Sequence, residues 1–525
     1  MGLVKSRKQM RNFKYIFALV FIISLFLIAT SRASLGSPSK EDIQSNLKEA
    51  GQSFESSQER ARYSLAEAIV RDKTLVLDNY ADQALPDIAY KDNHYYSVFP
   101  PGFSFLIAPA LYLGDKIGQP VIAVFAIPLL ASILSAIFIY LIAVNHLQIS
   151  KLSGLISAVV FSLTTISWSY SVTLYAHTTS ALCLIAGIYF ALNSVKGSAI
   201  NHFLVWLLYG IAILIDYPNA LIMLPVVGFM FVTSFARDNK FIERKERMFL
   251  QFRFASTYTI LPFLLLALAL AFYNIKTFGE WTALAHNFRV TNLIENGEVT
   301  YQFLISRALD FKYLQNGLFT LLLSKSRGII YYCPILLFSI YGYIKVNEKW
   351  PKVASLFVLI FFINLVIYGS FYDPWGGWAY GPRYLIVAMP VLALLTGVAY
   401  EYIKIRSSWV FGFALLFFAS FGIALLGALT TNLLPPAAEI GQQIGALGAL
   451  PMLHSGISGS LVFNLIRNTI NISSPEFYLF LTALFALFFI PIFLGQITFN
   501  FVLALRRRHS KQSEYILSEK EALCS

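Results

Sequence analysis

Apolar runs of about twenty residues, the length that spans a bilayer core, alternate with polar connections along almost the whole chain. They fall at 15–30, 121–146, 152–170, 174–193, 203–235, 255–274, 328–344, 353–371, 384–402, 409–429 and 477–501. The run at 203–235 is too long for one comfortable span and is interrupted by Asp216-Tyr217-Pro218-Asn219. A carboxylate and a proline in mid-membrane are costly, so this run reads as two spans joined by a tight outer turn. About twelve crossings result, and the fold class expected is an all-α polytopic membrane protein.

Composition agrees with that pattern. Hydrophobic residues make up 57% of the 525 positions and charged residues only 13%, against about 25% charged in a soluble domain. The net charge of +12 does not point to nucleic acid, because the basic residues gather on one side of the proposed topology. With a cytoplasmic N-terminus, the connections 237–253, 345–352, 404–406 and 506–511 all fall on the cytoplasmic side. The segments 31–118, 275–327, 372–383 and 430–476 fall opposite. The domain plan is then a basic N-terminus (1–14), a membrane domain (15–429) whose first outer loop is 31–118, a further outer loop (430–476), a last span (477–505) and a cytoplasmic tail (506–525). The run 15–30 is longer than the apolar core of a secretory signal, about 7–15 residues, and is read as an uncleaved span. Cys183, Cys333 and Cys524 offer no disulfide framework in the polar loops.

The first outer loop carries more acids and aromatics than a connection needs. Tyr63, Ala66, Ile69 and Val70 at helical spacing predict a short amphipathic helix lying along the membrane surface. Pro100-Pro101-Gly102 then breaks the chain before the apolar piece 103–113. The loop supplies Glu59, Arg62, Asp78, Asp87 and His94, with Tyr63 and Tyr96. Lys325 and Arg327 lie on the side where basic residues are disfavoured. Asp373, Trp378 and Arg383 sit in the stretch 372–384, and His177 opens the fourth span near the same face.

A carboxylate at that depth can take a proton from a hydroxyl or amine, and arginines or a lysine at span ends can hold a phosphate. Each residue also has a plainer explanation. Trp378 and the tyrosines suit an interfacial aromatic belt, Arg383 can snorkel to headgroups, and His177 can bridge helices. Most of the loop acids suit a solvated face, which leaves one or two of Glu59, Asp78 and Asp87 for chemistry. No His/Cys/Asp spacing reads as a transition-metal site, so no cofactor is assigned and a divalent metal is left open.

Several stretches in order resemble the GT-C superfamily of integral membrane glycosyltransferases. The nearest branch is that of the protein O-mannosyltransferases and the bacterial aminoarabinose and lipopolysaccharide-core sugar transferases. The stretches are Glu59-Arg60-Ala61-Arg62-Tyr63, the segment from Asn93 to Gly102, Asp216-Tyr217-Pro218, Ser326-Arg327-Gly328, and Trp375-Gly376-Gly377-Trp378 through Gly381-Pro382-Arg383-Tyr384. The resemblance implies a transferase using a polyprenyl-phosphate-linked monosaccharide, usually with inversion, toward a lipid, glycan or protein acceptor outside the cytoplasm. Glu59 would take the place of the loop-one catalytic acid, with Asp87 or Asp78 as substitutes, and Arg383, Lys325 and Arg327 would face the lipid phosphate. Two positions depart from the pattern: Glu59 stands where Asp is usual, and Phe99 stands where a lysine often precedes Pro-Pro-Gly. They keep a catalytically inactive member in view. A transporter or lipid flippase is the rival from another class, but it should hold its polar residues at mid-membrane on broken helices.

Overall fold

The computed structural model describes residues 2–45, 50–194, 198–235, 258–293 and 309–524. The basic connection 237–253 lies outside these residues, as does the stretch 294–308 of the outer loop after it. Among the described residues six helices are long and apolar enough to cross a membrane: Pro120–Asn145, Tyr258–Phe278, Pro351–Gly369, Arg383–Ile403, Ser407–Leu429 and Ser474–Arg506. Shorter apolar helices at Phe13–Ala29, Lys151–Leu163, Ala199–Ile215 and Asn219–Val232 fill in the series.

The breaks follow local chemistry. The run 203–235 divides at Asp216, where the backbone leaves the helix Ala199–Ile215 in an extended conformation before Pro218. The run 328–344 opens with the single turn Ile329–Tyr332, is interrupted before Pro334, and becomes a regular helix only at Phe338–Lys349. Proline cannot donate to the preceding turn, so this break is expected. The span at Arg383–Ile403 is the most enclosed of the six, with 89% of its window buried. It begins as a tight turn, Arg383–Ala388, that seats Arg383 at the mouth of the bundle.

The first outer loop differs from the helical surface segment expected. Its helix Ser57–Glu67 starts with a capping box in which Ser56 and Glu59 satisfy each other's backbone N–H groups. Every residue from Glu59 to Glu67 is buried, so this helix is not a membrane-surface amphipath. Arg60 explains part of the difference. Its guanidinium donates inside the loop to the carbonyls of Phe54, Glu55, Gln83 and Leu85, at 2.9–3.2 Å.

The sequence reading also contained no sheet. Strands β1 (Ile88–Lys91) and β2 (His94–Ser97) form a hairpin, and β3 (Arg289–Val290) pairs with β1 on its other side. The two-residue turn Asp92-Asn93 has both φ values positive, at 50° and 65°, the conformation that Asp and Asn tolerate in a tight hairpin.

The segment 430–476 is tied to the start of the first loop by a buried ion pair. Arg32 meets Glu55 at 2.6 Å, with both side chains fully buried. Arg32 also donates to the carbonyls of Gly427 and Ala428, and Glu55 accepts from Gly51 N, Thr431 Oγ1 and Asn432 N. A buried pair is tolerable only when its remaining groups are hydrogen-bonded in this way.

Candidate active site

These elements surround a cavity of about 1100 Å3. The first loop contributes Gln58, Arg62, Asp87 and Phe99, the turn after the helix Ala199–Ile215 contributes Asp216, and His177 opens its own helix beside them. Asp373, Trp378, Arg383 and Tyr384 come from the loop 372–384.

Four arginines line it: Arg60 is spent on loop carbonyls and Arg289 pairs with Asp87, which leaves Arg62 and Arg383. The Arg62 guanidinium lies 3.9 Å from the Phe99 ring centroid and donates to the Gln58 carbonyl at 3.2 Å. Arg383 sits 5.4 Å from the Tyr384 ring. The Gln58 amide, with its oxygen turned inward, accepts from both terminal nitrogens of Arg383 at 2.8 and 2.9 Å. Among the described residues neither arginine has a carboxylate within ion-pair distance, and the Nε of each is buried without a partner. His177 Nε2 is likewise buried and unpartnered. Two desolvated guanidiniums with no carboxylate in direct contact are chemically suited to an anion.

The loop behind them is built to let Arg383 in. Asp373 Oδ1 accepts from the N–H groups of Gly376 and Gly377 at 3.1 and 3.3 Å. Burial raises the Asp373 carboxyl above its usual range, against the lowering effect of those N–H groups. Gly376 has φ 72°, and a Cβ there would stand 2.9 Å from Arg383 Nε, so a side chain would displace the guanidinium.

Besides Asp373 and the ion-paired Glu55, two more carboxylates line the same space. Asp87 accepts from Ser57 Oγ at 2.6 Å and pairs with Arg289 at 2.8 Å, a contact created by the pairing of β3 with β1. Asp216 has its carboxyl raised to about 6 by burial, with Arg62 and Arg383 both pulling it down.

Other residues singled out from sequence lie elsewhere. Glu59 is buried, and its carboxylate accepts from Ser56 N and Leu174 N at 3.1 and 2.7 Å without lining the cavity. Burial, and then the neighbouring charge of Glu55, raise that carboxyl to about 7. Asp78 and His94 pair with each other at 2.7 Å on the exposed side of the hairpin, where Asp78 also anchors Tyr95 N. Tyr63 packs on Phe54 within the loop, and Tyr96 packs on Phe278 at the end of the helix Leu261–Phe278.

Arg327 does not face the cavity. Its side chain donates to the carbonyls of Trp375, Ser326, Gly377 and Leu434 at 2.8–3.1 Å, which makes it an internal brace. Lys325 is exposed and does not line the cavity either. Trp378 stands at the rim, half exposed, and donates to Glu439 at 2.6 Å.

Asp216, Gln58 and Arg289 were missed as site residues. Asp216 had carried a signal, a carboxylate interrupting an apolar run. Gln58 and Arg289 had none, since their roles depend on partners far along the chain. Among the described residues no cluster of three or more His, Cys, Asp or Glu could hold a metal ion.

No family model matches the chain, and no curated protein does. Among solved structures it is similar to ArnT from Cupriavidus metallidurans bound to undecaprenyl phosphate, at 13% identity and a TM-score of 0.47, over 92% of this chain and 76% of that one. It is also similar to the oligosaccharyltransferase AglB from Archaeoglobus fulgidus in complex with an inhibitory peptide and a dolichol-phosphate. There the identity is 12% and the TM-score 0.43, over 80% of this chain and 56% of that one.

Proposed function

We propose that this protein is a membrane glycosyltransferase that moves a monosaccharide from a polyprenyl-phosphate donor to an acceptor, on the non-cytoplasmic side of a bundle of about twelve crossings. One observation carries the reading. A single cavity joins two arginines without an ion-pair contact, Arg62 and Arg383, to the carboxylates Asp87 and Asp216, with apolar side chains such as Leu221, Ile367 and Phe371 around them. The arginines suit a lipid-linked phosphodiester, and the apolar positions suit the first isoprene units behind it.

The chemistry is a displacement at the anomeric carbon. An acceptor hydroxyl or amine forms the new bond to that carbon as the carbon–oxygen bond to phosphate breaks. The bonding pair leaves with the polyprenyl phosphate, and the acceptor proton passes to a carboxylate. Inversion requires that base to stand across the sugar from the phosphate. Asp87 suits the role, because Ser57 and Arg289 orient it. Asp216 lies in the field of both Arg62 and Arg383, which supports a role beside the phosphate. Arg62 and Arg383 stabilise the charge that develops on the leaving phosphate. The rival transport reading lacks support in the distribution of charge, since these groups cluster at helix ends and loops.

The test uses the purified protein in lipid nanodiscs with host membrane lipids and a radiolabelled polyprenyl-phosphate sugar. Wild type should release free polyprenyl phosphate as label moves to a new product, and Arg383→Ala should lower the rate by about a hundredfold. Equal turnover in the variant, or no turnover with any polyprenyl-phosphate sugar tried, overturns the reading.

A further inference from the structure

The segment 430–476 forms a second apolar wall of the cavity, separate from the one offered by Leu221, Ile367 and Phe371. Leu433, Leu434, Pro435, Ile444 and Met452 all line it.

This wall is built into the fold. Leu434 accepts through its carbonyl from Arg327 Nη2 at 2.8 Å and from Ala379 N at 3.1 Å, which fixes the backbone while its side chain lines the cavity. One turn earlier, Thr431 and Asn432 are held by the buried Glu55 carboxylate. Gly51 and Gly459 approach so closely that a Cβ on Gly459 would meet the Gly51 carbonyl at 2.2 Å. The wall is therefore anchored at both ends to the first loop.

The segment 430–476 also displays apolar side chains at its surface, beside the polar Glu439, Gln442 and Gln443. Ile440, Leu447, Leu465 and Ile470 are 41–59% exposed, in a segment that joins two membrane helices. Apolar groups displayed outward at such a junction suit the acyl boundary of a leaflet rather than water. Apolar residues thus face both the cavity and the surroundings, with polar Trp378 and Glu439 paired at the rim.

Resting on the transferase reading, we infer that the acceptor is itself an amphiphile, a lipid-anchored hydroxyl or amine that enters from the outer leaflet along 433–452. Its apolar part lies on Leu433, Leu434, Ile444 and Met452 while its polar head reaches Asp87. A soluble glycan or an extended peptide would leave these side chains without a partner and would need polar groups that the wall lacks. In the step itself the acceptor's oxygen or nitrogen bonds to the anomeric carbon, its proton goes to Asp87, and polyprenyl phosphate departs.

The experiment uses host membranes from a strain lacking the gene, complemented with wild type, Ile444→Asp or Met452→Gln and fed radiolabelled sugar. The gene-dependent product should partition into chloroform–methanol, and both variants should lower it at least tenfold. A photoactivatable polyprenyl-phosphate probe should still label both variants as it labels wild type, which shows that the donor side is intact and the protein folded. A gene-dependent product found in the delipidated protein or the aqueous glycan fraction overturns the acceptor class and leaves the transferase reading standing. Lipid product undiminished in both variants overturns the role of the wall. No gene-dependent product in any fraction, with no probe labelling, overturns the transferase reading and this inference together.

Discussion

The Arg62 guanidinium lies 3.9 Å from the centroid of the Phe99 ring, on the cavity side of the first outer loop. The transferases that the sequence resembles often carry a lysine where this chain has Phe99. A cation stands beside that position all the same, since Arg62 of the helix Ser57–Glu67 lies over the Phe99 ring. A guanidinium over an aromatic face retains its charge and its outward donors.

Arg62→Ala should therefore raise the donor concentration needed for half-maximal transfer by about tenfold to a hundredfold. Adding Phe99→Lys to that variant should restore part of the loss. Donor titration of the single and double variants measures both, and a double variant no better than Arg62→Ala would separate the two positions.

Asp87→Asn should reduce transfer by about a hundredfold or more while donor binding stays near wild type, because only proton removal is lost. Glu59→Gln should keep turnover within a few-fold. The amide oxygen can still accept from Ser56 N and Leu174 N, and Glu59 does not line the cavity. Glu59→Ala should instead lower thermal stability by about 1 kcal/mol, as expected for a lost cap. Turnover and melting temperature measured side by side distinguish catalytic from structural loss.

Donor affinity should depend on pH through Asp216, whose carboxyl titrates at about 6. Below that value Asp216 is neutral and leaves Arg62 and Arg383 to the phosphodiester. Above it the carboxylate competes for both arginines, so binding weakens as pH rises from about 5 to 7.5. The donor phosphodiester keeps its single charge across this range. Asp216→Asn should flatten the profile at the tighter level, as read by equilibrium binding of a labelled donor at several pH values.

Arg327→Ala should destabilise the protein without weakening donor binding. Its carbonyl partners at Trp375 and Gly377 would lose their donor, and each orphaned buried acceptor costs about 1–3 kcal/mol. A drop in melting temperature with unchanged donor affinity is the expected result. The opposite pattern would return Arg327 to the phosphate.

The apolar runs, the break at Asp216 and the concentration of acids after the first span were legible because each is a one-dimensional property. Bilayer thickness sets the length of a run, and the cost of a mid-membrane charge marks where a run must end. The sequence by itself thus determined a helical membrane protein with its candidate chemistry in the loops at one face, and it placed Asp87, Arg62, Arg383 and His177 among the candidates.

Only the tertiary structure decided which of those residues share a cavity. Glu59 and Asp87 look alike in sequence, yet one is taken up by a helix cap and a distant backbone N–H. The other is carried into the cavity by a strand whose partner lies about two hundred residues away. Arg327 and Arg383 are both cations at span starts, but four carbonyls hold the first, while the second gives two donors to the Gln58 amide and has its Nε without a partner. A buried polar group must find partners, and where those partners lie depends on packing between segments remote in the chain.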